Sequence, residues 1–250
     1  MSTWLFDLGN TRLKFAPLDG DGRIGAVQGT AHVEGGFDPE WLEELPARIE
    51  VAIVASVASP ALRMILLDAL AARGAQVQLA HTLPALDGLT IAYADPSRLG
   101  VDRFLALLSA HADGKPALVV GVGTALTVDL IDGGGRHLGG RIAPSPTLMR
   151  EALHRRVAQL APSGGAYVEF ADDTDDALAS GCEGAALGLI ERSLVEATAT
   201  LGARPRLVLH GGGGEALRHR LHDAQWRADL VLHGLARWHR ASAGVASPEG

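Results

Sequence analysis

Cysteine is all but missing from this sequence. Cys182 stands alone, so no intrachain disulfide can form, which suits a reducing compartment. With no His or basic residue beside it in sequence, it reads as a small core residue and not as a nucleophile. Lysine is scarce as well: Lys14 and Lys115 stand against twenty arginines. A chain that otherwise uses Arg keeps Lys in its opening stretch, which favours a compact point charge there over a surface filler. No apolar run reaches the roughly 18 residues of a membrane span, and no basic n-region with an apolar h-region opens the chain. A cytoplasmic protein with no membrane partner is expected. The formal charge is −7 and no basic run or basic–aromatic interleaving occurs, which argues against nucleic acid as the main partner. A Walker Gly-x-x-x-x-Gly-Lys-Ser/Thr loop, a His-Glu-x-x-His pair and a cysteine cluster are all absent, so neither a P-loop nor a dedicated zinc site is supported.

What is present is an apolar content of 47% over 250 residues, enough for one large domain or two small ones. Residues 3–8 and 12–18 read as paired strands, the Asp-Gly-Asp-Gly run at 19–22 as a turn, and 24–33 as a third strand. Asp38-Pro39 starts a short helix. A strand over 50–57 follows, then a helix capped by Ser59-Pro60 and ended at Gly74, with Leu62, Ile65, Leu66, Ala69 and Leu70 on its buried face. Residues 77–80 add a strand, 81–99 read as irregular, and a helix from Val101 fades at Ala112-Asp113-Gly114, the boundary between halves. The second half repeats the first: strands at 117–120, 125–131 and 136–142, joined by glycine-bearing turns. A helix from Ser145-Pro146 to about residue 160 follows. Thr174 reads as the N-cap of a long helix to about residue 201, with Asp175 and Asp176 in its first turn. Gly181, Gly184 and Gly188 share one face of that helix and mark close approach of another element or a ligand. A strand at 206–209, the four glycines 211–214, a helix from Glu215 and a segment 230–239 complete the chain.

The opening stretch Trp4-Leu5-Phe6-Asp7-Leu8-Gly9-Asn10-Thr11-Arg12-Leu13-Lys14 is an apolar strand ending on an acid, a polar turn, and a strand carrying a cation. Such a turn can hold a metal-bound phosphate: Gly admits a backbone, Asn and Thr donate, Lys adds charge. An ordinary hairpin has the same pattern. Turns at 121–124 and 211–214 also follow strands, and together the three make a plausible nucleotide cleft. Leu99-Gly100-Val101-Asp102-Arg103 offers a helix start, an acid able to accept a hydroxyl proton and an Arg able to bind an anion bidentately. Alone, it reads better as a helix N-terminus with an Asp that satisfies the dipole and a surface Arg; beside the other turns, the chemical reading gains.

In order and spacing these pieces resemble the type III pantothenate kinases, within the acetate/sugar kinase–Hsp70–actin superfamily. The resemblance covers nearly the whole chain. It rests on Asp7-x-Gly9-Asn10-Thr11-x-x-Lys14, Gly100-x-Asp102-Arg103, Gly123-Thr124-Ala125 followed by Asp129, Gly139-Gly140-x-Ile142-x-Pro144, Thr174 with Ser180-Gly181, and the turn at Gly211-Gly212. It implies an α/β fold of two duplicated ribonuclease-H-like domains, mixed five-stranded sheets with flanking helices, in the actin-like ATPase superfamily, here residues 1–114 and 115–250 with ATP between them. It further implies a homodimer that phosphorylates pantothenate to 4'-phosphopantothenate, the first step of coenzyme A biosynthesis. Carried over, Asp7, Leu8, Gly9, Asn10, Thr11, Arg12, Leu13 and Lys14 form the first phosphate loop, and Asp7 holds Mg2+ through water. Thr124 contacts ATP phosphate. Asp102 is the base on the pantothenate hydroxyl. Gly100, Val101, Asp102 and Arg103 line the substrate site, with Arg103 on the carboxylate. Tyr93 and Thr174 match substrate-contacting positions, and Thr174 serves the neighbouring subunit.

Two positions depart from the family's pattern. Its second phosphate turn usually opens with an Asp that helps bind a monovalent cation, potassium or ammonium; here that position is Gly121. The expectation is a cation site weakened or relocated toward Asp129. Ala143-Pro144-Ser145 stands where Pro-Gly is usual, with little effect expected. Two alternatives to the kinase reading stay open on the sequence: a non-catalytic nucleotide-binding regulatory relative, which the Gly121 departure would favour, and a kinase for another small acid.

Overall fold

The structure is a computed structural model that describes residues 2–33 and 35–245. The chain divides into two compact units, one of residues 1–112 with 229–250 and one of residues 113–228.

In the first unit β1 (Thr3–Leu8), β2 (Arg12–Leu18) and β3 (Gln28–Val33) form an antiparallel meander, and the short β4 (Gly36–Phe37) extends its edge. On the other side of β1, β5 (Val51–Ser56) and then β6 (Gln76–Leu79) add in parallel, giving the order β4-β3-β2-β1-β5-β6. Strand alternation sorts the side chains. Phe6, Leu8, Leu13 and Phe15 enter a core with Trp41, Ile49 and Val54 that is closed by α1 (Pro60–Ala72) through Leu62, Leu66 and Leu70. Each such fully buried side chain contributes roughly 1.5–3 kcal/mol relative to exposure. Ile65, expected on that face, is 41% exposed. Ser59 caps α1, its Oγ accepting from Leu62 N at 3.4 Å. The segment expected to be irregular contains a small hairpin, β7 (Ala85–Leu86) and β8 (Leu89–Thr90), before α2 (Val101–Ala110).

The second unit opens with β9 (Ala117–Val122), β10 (Ala125–Ile131) and β11 (His137–Pro144), again an antiparallel meander. It continues with α3 (Pro146–Arg156), α4 (Thr174–Leu201), β12 (Arg206–His210), α5 (Gly214–Arg218) and β13 (Ala224–Trp226). The sheet order is β11-β10-β9-β12-β13, with β12 parallel to β9 and β13 parallel to β12. Apart from β4, the two sheets therefore share one plan: third, second, first, fourth, fifth strand, the last two parallel to the first. This is the duplicated α/β architecture expected. β13, three residues long, carries too little pattern to be read from the sequence.

The last helix, α6 (Leu230–Val245), belongs to the first unit, whereas a second domain running from 115 to 250 is expected from the sequence. The contact is backbone to backbone: a Cβ on Gly234 would run into the main chain of Leu105 in α2. Only glycine lets the two helices approach this closely. On α4 the glycine face is open. Among the described residues nothing lies within 4 Å of where a Cβ would sit at Gly181 or Gly188, and Gly184 meets only the Tyr167 ring, at 3.9 Å.

Candidate active site

In the first unit the site grows from the β1–β2 register, which sets Asp7 opposite Lys14 on the face away from Phe6 and Leu8. Leu8 and Leu13, expected among the nucleotide-contacting residues, have fully buried side chains in the core. They anchor the turn, and only their backbone is left for a ligand. Within the turn Gly9 N donates to Arg12 O at 3.0 Å. Strand β3 braces it from behind: His32 N donates to Thr11 O at 3.1 Å and His32 Nδ1 to Asn10 O at 2.9 Å. The side chains of Asn10, Thr11 and Arg12 are left exposed. The hairpin and the phosphate-grip readings of this stretch are thus compatible.

Asp102 lies in the first turn of α2, behind Gly100 as N-cap. A Cβ on Gly100 would sit 2.6 Å from Asp102 Oδ1, so the carboxylate lies over a space that only glycine leaves open. The Asp7 carboxyl is pushed up to about 7 by burial, then by the Asp102 charge; Lys14 pulls it down and Asp229 adds a smaller upward push. Asp229 has no signal in the sequence. It stands just before α6, and its Oδ1 meets Lys14 Nζ at 3.3 Å. Two carboxylates and one ammonium therefore bear on Asp7. Among the described residues no group of three or more His, Cys, Asp or Glu has metal-holding geometry. The acid excess around Asp7 nevertheless fits a divalent cation held through water, since a positive ion would relieve the repulsion that raises its carboxyl.

Arg103, the next residue, is only 7% exposed. Its Nη1 donates to Tyr93 Oη at 3.3 Å, and its guanidinium lies 5.9 Å from the centre of the Tyr93 ring. The ring restrains the fork, which suits a site that must present two N–H groups to a carboxylate. Thr82 Oγ1 donates to Leu99 O at 2.8 Å and ties the irregular segment to the start of α2. Val101 is buried and anchors the helix. The first unit thus assembles Asp7, Lys14, Asp102 and Asp229 around one another, and Arg103 with Tyr93 beside Asp102 in sequence.

In the second unit Thr124 is exposed at the β9–β10 turn, where Gly123 N donates to Ala125 O at 2.9 Å. Gly121 and Val122, expected in the turn, belong to the strand. Asp129 is 3% exposed, and its Oδ1 lies 3.1 Å from His137 Nε2. Cys182 is buried, and burial raises its thiol pKa, as befits a core residue. The cap of α4 is Asp173, whose carboxylate accepts from Asp175 N and Asp176 N at 2.9 and 3.0 Å; Thr174, expected as the cap, is the exposed first helical residue. Both types are good caps, and the local backbone decides between neighbours.

The sequence profile of the type III pantothenate kinases matches residues 4–196. A type III pantothenate kinase of Xanthomonas campestris pv. campestris (strain B100) is 58% identical over 243 residues, covering 97% of this chain and 99% of its own. One from Stenotrophomonas maltophilia (strain R551-3) is 56% identical over 238 residues, 95% of this chain and 97% of its own. Among solved structures, a Campylobacter jejuni protein described as a Baf family transcriptional activator superposes with a TM-score of 0.64 at 21% identity, covering 96% of this chain and 99% of the other. A Sinorhizobium meliloti protein described as a 2-dehydro-3-deoxygalactonokinase gives 0.60 at 15% identity, covering 98% and 100%. At such identities these two speak for the fold alone. The profile match and the near full-length identity show that this chain belongs to the type III pantothenate kinase family.

Proposed function

We infer that this chain transfers the γ-phosphoryl group of ATP to the primary hydroxyl of pantothenate, giving 4'-phosphopantothenate and ADP at the first step of coenzyme A biosynthesis. The observation that carries the residue roles is the convergence of Asp7, Lys14 and Asp102, with Asp102 lodged over Gly100. Asp102 accepts the hydroxyl proton as the new P–O bond forms and the bond to the β-phosphate breaks. Arg103, steadied by Tyr93, receives the carboxylate of pantothenate. The backbone of the Gly9–Thr11 turn and Lys14 serve the phosphates of ATP, as does Thr124 in the second unit. Mg2+ near Asp7 would neutralise charge developing on the phosphate oxygens. Assembly of Asp7, Lys14, Asp102 and Asp229 favours a working enzyme over a non-catalytic relative. ADP release that depends on pantothenate tests the activity. Release with a different small acid, and none with pantothenate, would overturn the substrate.

The functional unit is a homodimer in this reading. Its support is the exposed apolar surface of the second unit, including Ile142 at 65%, Val157 at 45% and Phe170 at 99%, with the open glycine face of α4. Thr174, at the start of that helix, serves substrate in the partner. Sedimentation equilibrium should return twice the chain mass. Among the described residues no helix is long and apolar enough to cross a membrane. A single buried cysteine further supports a reducing, cytoplasmic setting. With Gly121 in place of an acid and Asp129 already bonded to His137, activation by potassium or ammonium is weak. Strong activation by potassium in sodium-free buffer would contradict this.

A further inference from the structure

Three strands of the second unit place one row of residues side by side. Thr127 on β10 is opposite Gly121 on β9, and His210 on β12 is opposite Gly121 from the other side. Cross-strand neighbours in register project from the same face. That face is the one away from Val120, Val122, Leu126, Val128, Leu207 and Leu209, which fill the unit's core. The middle of the row has no side chain. A Cβ built on Gly121 would lie 2.7 Å from Thr127 Oγ1, 2.9 Å from His210 Nε2 and 3.0 Å from His210 Cε1. The imidazole therefore leans across the glycine toward the hydroxyl, and any side chain at 121 would have to push the ring away.

The row lies at the carboxyl ends of the parallel strands β9 and β12, the edge at which open α/β sheets bind their ligands. The strand end that carries the ring is held by the chain that follows it. Gly211 has φ +89°, and a Cβ on it would meet Val122 O at 2.5 Å; Gly213 N donates to the same oxygen at 3.0 Å. The loop after His210 is thereby latched to the residue that leads into the Gly123–Thr124 turn. Asp129, two residues beyond Thr127 on the same face of β10, adds a buried carboxylate bonded to His137.

We propose that His210 is a nucleotide-phosphate-binding residue, seated by the vacant side-chain position at Gly121 so that an imidazole N–H serves the phosphate chain at the Gly123–Thr124 turn. This rests on the turn being a phosphate turn, as the function above requires. An aromatic ring that only covers a strand glycine would need no nitrogen, and that contrast supplies the test. His210→Phe keeps the cover and removes the donor. It should raise KM for ATP roughly tenfold or more, the size expected for one hydrogen bond to a charged group. KM for pantothenate should stay within about twofold and the melting temperature should hold. His210→Gln should recover part of the loss. Gly121→Ala, which leaves the imidazole intact but displaced, should show the same selective rise. A His210→Phe enzyme with wild-type KM for ATP, or one in which both KM values rise together, would overturn the proposal. Calorimetric titration with ADP tests the same point without turnover: a lower affinity in His210→Phe supports the phosphate role, and an unchanged one refutes it. Lack of pantothenate-dependent turnover in the wild type would bear on the substrate, and would leave this comparison standing.

Discussion

Asp7→Asn should make the folded protein more stable at alkaline pH while abolishing turnover. The carboxyl of Asp7 is raised from 3.8 to about 7, first by burial and then by Asp102. Between those two values the folded chain keeps a proton that the unfolded chain has released, so stability falls as pH rises through that window. Above about pH 7 the whole cost is present. A shift of about 3 units at about 1.4 kcal/mol each sets a ceiling of about 4 kcal/mol, and water reaching a half-buried group lowers it. Asparagine cannot ionise and escapes the cost. In metal-free buffer the variant should melt several degrees higher than wild type near pH 8, at about 2–4 °C per kcal/mol for a chain of this size, and at nearly the same temperature near pH 4. Adding Mg2+ should narrow the gap at pH 8, because a cation favours the ionised carboxylate. Melting curves at both pH values, with and without EDTA, decide the matter. A gap of equal size at both pH values, or a variant less stable at pH 8, would refute the electrostatic account of Asp7.

Gly100→Ala places a methyl 2.6 Å from Asp102 Oδ1 and must displace that carboxylate. Steady-state kinetics should show kcat falling by about 10–100-fold, as for a misplacement of about 1 Å, with ATP affinity retained; an unchanged kcat would show that the position of Asp102 is not critical. Arg103→Lys keeps the charge but loses the fork restrained by Tyr93. It should raise KM for pantothenate by about tenfold or more with KM for ATP little changed, and equal effects on both would contradict the assignment. Gly234→Ala drives a methyl into the Leu105 main chain and should cost about 1–3 kcal/mol by urea unfolding. A variant as stable as wild type would mean that α6 and α2 are not packed as closely as described.

Much of this architecture is legible in the sequence because its signals are local. Asp7 through Lys14 spells the end of a strand, a turn and a second strand in one short stretch, and the second meander repeats the pattern from Ala117. Ser59-Pro60 and Gly74 mark the ends of α1, where a hydroxyl cap and a glycine at φ +75° are needed. What escapes depends on distance or on neighbouring choices of equal propensity. Asp229 meets Lys14 across 215 positions, and nothing about an acid before an apolar run reveals that partner. Thr174 and Asp173 are both acceptable caps, and the sequence pattern cannot rank them. The return of α6 to the first unit depends on Gly234 facing the Leu105 backbone, a contact with no local signature. In the same way, the vacancy at Gly121 reads from sequence as a missing ligand, whereas the space beside it holds the His210 ring and the Thr127 hydroxyl.

The most direct measurement is ADP release by the purified wild-type chain and by Asp102→Asn, with ATP and Mg2+, in the presence and absence of pantothenate. The account predicts pantothenate-dependent release from the wild type with stoichiometric 4'-phosphopantothenate. For Asp102→Asn it predicts a rate lower by about 100-fold or more, the range of a general base, with ATP binding retained. Absence of pantothenate-dependent release from the wild type under any monovalent cation, or near-normal turnover by Asp102→Asn, would contradict it.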